Sequence, residues 1–331
     1  MRALRLTRPA PIEQSPLAVT EVAPPHPGPG EFLLRVRACA ICRTDLHTVE
    51  GELRAPRLPI TPGHQAVGIV EQLGEGVRDW SVGDRAGVPW LFRACGSCEF
   101  CRRGDENLCP DAEFTGLHQH GGYAAYMVAD ARFALRLPSQ VADEHLAPLL
   151  CAGIIGYRAL RKADLQPGER LGLIGFGASA HLALQVARSW GCEVYVYTRG
   201  EGHRRLASRL GASWVGGLED RSPALVDKAV QFAPVGALVP RGLEKIRPGG
   251  TLAINAVYLS PIPEFPYALL YGERTLRSVA NATRRDGEEF LALAFQVPIL
   301  PSIRTYPLRD ANTALLDLKR GEMEGAGVLI P

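Results

Sequence analysis

Four cysteines fall within fifteen residues, as Cys95-x2-Cys98-x2-Cys101-x7-Cys109. A stretch that crowds so many thiols must fold around something. Zinc takes four soft ligands at tetrahedral corners with Zn–S near about 2.3 Å, and two-residue spacers let one loop wrap the ion while a fourth cysteine closes the sphere. Such a site has no open position, so its expected role is structural. The competing reading is free or disulfide-bonded cysteines. The chain has eight cysteines in 331 residues, which is too long to need covalent staples for a core. Met1 to Pro9 carries arginine at every third position and no apolar run, so it does not read as a signal peptide. No run approaches the about 20 apolar residues of a membrane span. The expected setting is the reducing cytoplasm, where clustered cysteines bind metal more often than they pair. The net charge of +2 supplies no field that would demand nucleic acid or a membrane. The two distant CxxC knuckles of a nucleic-acid zinc ribbon are also missing.

The texture of the chain changes near residue 150. Up to about residue 140, short β-prone runs such as Phe32 to Val36, Ala66 to Gln72 and Tyr123 to Val128 alternate with Gly/Pro clusters, which reads as a mainly β domain. Beyond it, an apolar strand at Leu171 to Ile174 leads to a glycine turn and a helix over Ala180 to Trp190. A strand at Glu193 to Tyr197 and a helix from Gly202 to Leu210 follow, with further strands at Ala229 to Phe232, Thr251 to Ile254 and Leu276 to Val279. That alternation predicts an α/β, doubly wound parallel sheet. An amphipathic helix over Leu308 to Lys319 and a last strand at Gly327 to Ile330 are expected to return to the first domain. The expected domains are thus residues 1–152 with 288–331, and residues 153–287.

Gly175-Phe176-Gly177-Ala178-Ser179-Ala180 follows a strand and opens a helix. Gly175 and Gly177 permit the tight turn and the close approach of a pyrophosphate to backbone N–H groups, and Ala178 lies in the turn. Ala180 is small enough for helix–strand packing. A dinucleotide is therefore expected here. At the end of the second strand, Thr198 stands where an NAD enzyme usually carries an acid. With no carboxylate to repel a 2′-phosphate and Arg199 beside it, NADP(H) is favoured over NAD(H), with His203 and Arg204 as helpers. The competing reading leaves Arg199 as a solvated surface residue.

Three dispersed residues form a second possible ligand set: Cys42, His64 and Cys151. Two thiolates and one imidazole leave zinc's fourth position open, the catalytic arrangement. Spacing alone leaves this beside the alternative that they are buried core residues. Together the motifs resemble a zinc-dependent alcohol dehydrogenase of the medium-chain dehydrogenase/reductase family. The resemblance rests on Gly63-His64-x-x-x-Gly68 with Gly74 and Val77, the four-cysteine lobe, Cys151-Ala152-Gly153 and the glycine turn, and it runs nearly end to end. It implies a mainly-β GroES-like catalytic domain, a Rossmann cofactor domain and two zinc ions per chain. It also implies interconversion of alcohols and aldehydes or ketones by hydride transfer to or from NAD(P), in a homodimer or homotetramer.

Residue by residue, the resemblance implies that Thr44 is the hydroxyl of a proton relay and His47 the histidine that passes the proton on. The competing readings are an N-cap threonine and a surface histidine. Asp45 is implied to orient His64, Arg43 to contact pyrophosphate, and Trp90 and Leu53 to line the substrate pocket, which is expected to take primary alcohols larger than ethanol, including aromatic ones. The chain departs from the family pattern at Gln65, where a glutamate is usual, at Ile155 in place of a threonine, and at Ala326 in place of an arginine. Cys39 and Cys192 have no partner pattern and read as apolar fillers. Two rivals remain: a zinc-free NADPH quinone or enoyl reductase, and a non-catalytic, zinc-stabilised nucleotide-binding protein.

Overall fold

The computed structural model describes residues 1–297 and 299–331. The aliphatic run that begins at Phe32 forms the central strand of the first unit, Glu31–Ala40. Phe32, Leu34 and Val36 turn to one side and are buried with Leu4, Leu6, Leu46, Val70, Met127 and Leu329. Truncating any one of the large aliphatic side chains here should cost about 2–5 kcal/mol. The strand pairs antiparallel with Ala66–Leu73 and with Tyr126–Asp130. Ala66–Leu73 passes the sheet on to Arg85–Val88 and Leu135–Arg136. At the other edge, Ala326–Ile330 pairs antiparallel with the Cys39–Ala40 end and parallel with Ile303–Pro307. Among the described residues these make one seven-stranded sheet. The unit comprises residues 1–151, 282–288 and 302–331. The cysteine lobe is an appendage with its own small cluster, in which Leu91, Ala94, Cys109 and Phe133 are buried, beside the ribbon of Leu91–Arg93 and Glu113–Phe114.

The second unit comprises residues 152–281 and 289–301. Six strands run parallel in the spatial order Trp214–Gly216, Glu193–Tyr197, Arg170–Ile174, Val226–Gln231, Ile246–Ile254, Thr275–Ser278. The strands are apolar because both faces are covered: Leu171, Leu173, Val194, Val196, Ala229, Val230, Leu252 and Ala253 are all buried. Numbered by sequence, the strand order is 3-2-1-4-5-6, so its direction reverses at Arg170–Ile174. That reversal is the topological switch point at which open α/β sheets bind nucleotides, and the glycine turn sits directly after it. The fold is the expected one: a mainly-β GroES-like unit and a parallel Rossmann sheet. Among the described residues, no helix is long and apolar enough to cross a membrane.

Candidate active site

The central strand of the first unit ends next to Cys42, and the helix Arg43–Glu50 begins there. Asp45, in its first turn, accepts the Cys42 N–H at 2.9 Å through Oδ2. Its Oδ1 accepts the N–H of Gly63 at 3.1 Å and Nδ1–H of His64 at 2.8 Å. Gly63 has φ +98°, and a Cβ there would lie 2.3 Å from the Tyr123 ring. Only glycine therefore lets His64 follow at this depth. Tyr123 donates its hydroxyl to Asp45 Oδ2 at 3.0 Å, so all four contacts of the buried carboxylate are donors.

With Nδ1 committed, His64 presents Nε2, which is buried and makes no hydrogen bond. It lies with Sγ of Cys42 and Cys151, all three ligand atoms within 4.8 Å of one another. Burial opposes a charged imidazole, but the Asp45 carboxylate and Cys42 outweigh it and raise the His64 pKa to about 10. The neighbouring Cys151 thiol and His64 draw the Cys42 pKa well below the usual thiol range against its burial. Cys151, facing Cys42, is pushed up. An acidified thiol, a second thiol and an orphaned imidazole nitrogen form a donor set that fits zinc. Gln65 is buried next in sequence, with its carbonyl taking the Ala40 N–H at 3.0 Å.

The four lobe sulfurs also converge within 4.8 Å, Cys95 and Cys101 at 3.9 Å. Backbone N–H groups point at them: Cys98 N to Cys95 Sγ at 3.3 Å, Ser97 N to Cys95 Sγ at 3.5 Å, Cys101 N to Cys98 Sγ and Cys95 N to Cys109 Sγ, both at 3.5 Å. Those of Ser97 and Cys98 bring the Cys95 pKa down to about 6. Amide donors aimed at sulfur are what a thiolate cluster needs, and the set fits a closed zinc site. Cys39 and Cys192 are buried and burial raises both thiols, as expected of fillers.

Cys42, not Thr44, takes the N-cap position of the helix, so the capping reading of Thr44 falls. Thr44 is buried, its Oγ1 3.7 Å from Cys42 Sγ. His47 is buried rather than a surface histidine, and its Nδ1 is hydrogen-bonded to Glu52. Arg43 is exposed. The Trp90 ring meets the His64 ring edge-on at 4.8 Å and stacks on Phe114 at 5.0 Å, and Phe114 leans on His118 at 5.4 Å. Leu53 is half-buried, its N–H donating to the His47 carbonyl at 3.0 Å. Sequence reasoning missed Tyr123, Glu52 and Phe114. A signal for Tyr123 did exist: a Cβ on Gly121 would lie 2.0 Å from the Gly63 carbonyl oxygen and one on Gly122 2.6 Å from Ala66 Cβ, so the paired glycines mark a close approach.

In the second unit Gly175 has φ +86° and its N–H donates to the Tyr197 carbonyl at 2.9 Å. A Cβ on Gly175 would lie 2.9 Å from the Ala233 nitrogen. Gly177 caps the helix Ala178–Ser189, and a Cβ there would meet open space. Ala180 is fully buried against the sheet. The geometry is that of a pyrophosphate turn, with the open side at the helix N-terminus. Thr198 is buried and its carbonyl accepts from Arg204 Nε at 3.1 Å, whereas Arg199 is exposed.

Residues 28–139 match the family model of the alcohol dehydrogenase GroES-like domain. The whole chain is 46% identical to a probable alcohol dehydrogenase AdhA of Mycobacterium tuberculosis, over 97% of that protein. A solved alcohol dehydrogenase of the hyperthermophilic archaeon Aeropyrum pernix superposes with a TM-score of 0.90 at 30% identity, covering 100% of both chains. A cobalt- and zinc-bound thermostable alcohol dehydrogenase of Pyrobaculum aerophilum superposes with a TM-score of 0.90 at 26% identity, covering 100% of this chain and 99% of that one.

Proposed function

The chain belongs to the zinc-binding alcohol dehydrogenases of the medium-chain dehydrogenase/reductase family, and on that premise we propose which residues carry the reaction, which nicotinamide it prefers and which alcohols it takes. It interconverts alcohols and aldehydes by hydride transfer to or from NAD(P). The observation that carries the assignment of roles is the orphaned, buried Nε2 of His64 beside the sulfurs of Cys42 and Cys151. These three residues would hold a catalytic zinc, and Cys95, Cys98, Cys101 and Cys109 a structural one, giving two per chain. Bound zinc supplies Lewis acidity toward a substrate oxygen, and bound nicotinamide supplies the acceptor or donor of hydride. Asp45 fixes His64 with Nδ1 protonated, so that Nε2 is the ligand atom. Thr44 Oγ1 accepts the substrate hydroxyl proton as its own hydroxyl proton passes on, and His47 carries the released proton away from the buried site.

The first unit is the catalytic domain and the second the cofactor domain. Gly175, Gly177, Ala178 and Ala180 form the pyrophosphate turn, with Arg43 as a second contact. The preference is for NADP(H): Thr198 offers no charge against a 2′-phosphate, and Arg199 and Arg204 are cations at the same turn. The Arg204 hydrogen bond to the Thr198 carbonyl supports this. A kcat/KM for NADP+ above that for NAD+ is expected, and a strong NAD+ preference would refute it.

Trp90 forms the wall nearest the chemistry, backed by Phe114, and Leu53 stands where a larger side chain would narrow the site. The resulting preference is for primary alcohols and aldehydes larger than ethanol, aromatic ones included. Gln65 keeps an acceptor near the metal without a charge. We assign the enzyme to the cytoplasm, where its thiolates stay reduced, and to a homodimer or homotetramer. The Thr275–Ser278 strand, which ends the second sheet and is mostly exposed, supports pairing of cofactor domains. Light scattering on the purified protein reads the subunit number directly. Both rivals are disfavoured: a zinc-free reductase has no use for two convergent donor sets, and a binding protein has none for an open three-ligand site.

A further inference from the structure

Two arginines and a histidine outside the metal and cofactor sites share one corner of the first unit. The helix Arg43–Glu50 ends at Gly51, whose φ of +85° turns the chain back. The loop that follows carries Leu53 and then Arg57 before it reaches Thr61 and the ligand segment at Gly63 and His64. Arg57 is exposed, and its guanidinium donates to Gln119 Oε1 at 2.9 Å. The Gln119 amide nitrogen is committed to Glu113 at 2.7 Å, which turns the amide oxygen toward Arg57. The N–H groups of His118 and Gln119 both donate to the Phe114 carbonyl, at 2.9 and 3.2 Å, so the turn that ends at Gln119 is the one that carries Phe114. The Arg57–Gln119 bond therefore ties the loop of Leu53 to the turn of Phe114.

Arg5 comes from the strand Arg2–Leu6, which lies against both segments: Leu4 N–H donates to the Tyr123 carbonyl and Leu6 N–H to the Ile60 carbonyl, both at 2.8 Å. Its Nη2 donates to the Pro59 carbonyl at 3.2 Å, and its Nη1 lies 3.5 Å from Thr61 Oγ1 and 3.2 Å from His120 Nε2. The Thr61 N–H donates to His120 Nδ1 at 3.2 Å. With Nδ1 accepting, the neutral ring carries its proton on Nε2, where it faces a guanidinium that can only donate. Burial and the charges of Arg5 and Arg57 lower the His120 pKa to about 4, and burial and then Arg57 lower that of Arg5. The carboxylates of these segments are taken: Glu52 accepts from His47, and Glu113 pairs with Arg93 at 3.3 Å. Among the described residues neither Arg5 nor Arg57 pairs with a carboxylate. The donors of two guanidinium groups and an imidazole are met by the Pro59 carbonyl, the Thr61 hydroxyl and the Gln119 amide oxygen.

We propose that Arg5, Arg57 and His120 form an anion subsite at the outer end of the substrate path, and that it takes a carboxylate carried on the alcohol or aldehyde at the end remote from the reacting carbon. The inference rests on Leu53 and Phe114 bordering that path, as proposed above. Guanidinium groups bind a carboxylate through charge-assisted hydrogen bonds in a fixed fork, and the His120 Nε2–H adds a neutral donor. The subsite adds no step to hydride transfer. It selects among primary alcohols by holding an end of the molecule that does not react, and Trp90 and Phe114 suit an aromatic body between the two ends. The substrate class is therefore carboxylate-bearing aryl alcohols and their aldehydes.

The test compares 4-(hydroxymethyl)benzoate, and homologues with one to three methylenes before the carboxylate, with their methyl esters. In the wild type the best carboxylate should exceed its ester in kcat/KM by roughly tenfold or more, mostly through KM. Added salt should shrink that ratio, because Arg57 is exposed. Arg57→Gln should bring the ratio near one, Arg5→Gln should lower it, and Arg57→Glu should push it below one. Each ratio is internal to one variant, so a loss of folded enzyme cancels. A wild-type ratio near one while the esters are oxidised would overturn the subsite and leave the substrate wall standing. A high ratio that survives in both Gln variants would also overturn it. If ethanol is oxidised but neither acids nor esters are, the reading of the substrate path falls and the subsite with it.

Discussion

Asp45 Oδ1 accepts the Nδ1–H of His64 at 2.8 Å, and the same carboxylate is held on its other oxygen by the Tyr123 hydroxyl at 3.0 Å. The ligand histidine is thus fixed by a group that is itself fixed. Asp45→Asn should weaken retention of the catalytic zinc by about 10–100-fold while leaving the four-cysteine site loaded. Tyr123→Phe, which removes one donor to that buried carboxylate, should lower stability by about 1.5–3 kcal/mol. Metal analysis after dialysis against a graded chelator reads the first effect, and denaturant unfolding reads the second. Equal zinc retention in Asp45→Asn and wild type would contradict this account of the pair.

The cysteine lobe has few buried apolar residues of its own, so its order should depend on metal. Cys98→Ser should lose one zinc per chain, lower Tm and expose residues 95–113 to protease, while the zinc at Cys42, His64 and Cys151 stays bound. Limited proteolysis with mass spectrometry shows whether cleavage concentrates there. An uncleaved lobe in the variant would mean that the sulfurs do not hold it.

His181 gives a pH dependence of known sign. It is fully buried in the helix that follows the glycine turn, and burial lowers its pKa from 6.5 to about 4. The unfolded chain therefore binds this proton before the folded one does. Stability is unaffected by His181 above about pH 6.5 and falls as pH drops toward about 4, by at most about 1.4 kcal/mol per pH unit. Denaturant unfolding at pH 7, 6, 5 and 4.5 should show a shallower acid slope in a folded His181→Leu variant. Parallel slopes would remove the assignment.

Trp90 lies edge-on against His64 and flat against Phe114. Trp90→Ala should move the kcat/KM ratio of bulky to small alcohols by about tenfold or more toward the bulky ones, the order expected when a pocket gains several carbon volumes. An unchanged ratio across a series from ethanol to substituted benzyl alcohols would remove Trp90 from the substrate wall.

The parts of the molecule readable from sequence are those written in local spacing. Cys95, Cys98, Cys101 and Cys109 sit on one loop, and their convergence follows from that loop's length. Gly175, Gly177 and Ala180 sit on one turn between a strand and a helix whose periodicities differ. Cys42, His64 and Cys151 belong to three separate segments; their meeting became legible only through the resemblance that Gly63, His64 and Gly68 carry. Gly121 and Gly122 mark a close approach next to Tyr123, but its partner Asp45 lies 78 residues away and meets it only once the strands are in register. Glu52 was hidden for the opposite reason. It is five residues from His47, a spacing that helix geometry does not bring together, and the reversal at Gly51 does.

Zinc content and dehydrogenase activity, followed together during chelation, test the central claim most directly. The account predicts two zinc ions per chain, held by the two convergent donor sets. Removal of the ion at Cys42, His64 and Cys151 should abolish NAD(P)-linked oxidation of primary alcohols, and added zinc should restore it. Full activity in protein stripped of both ions would contradict it.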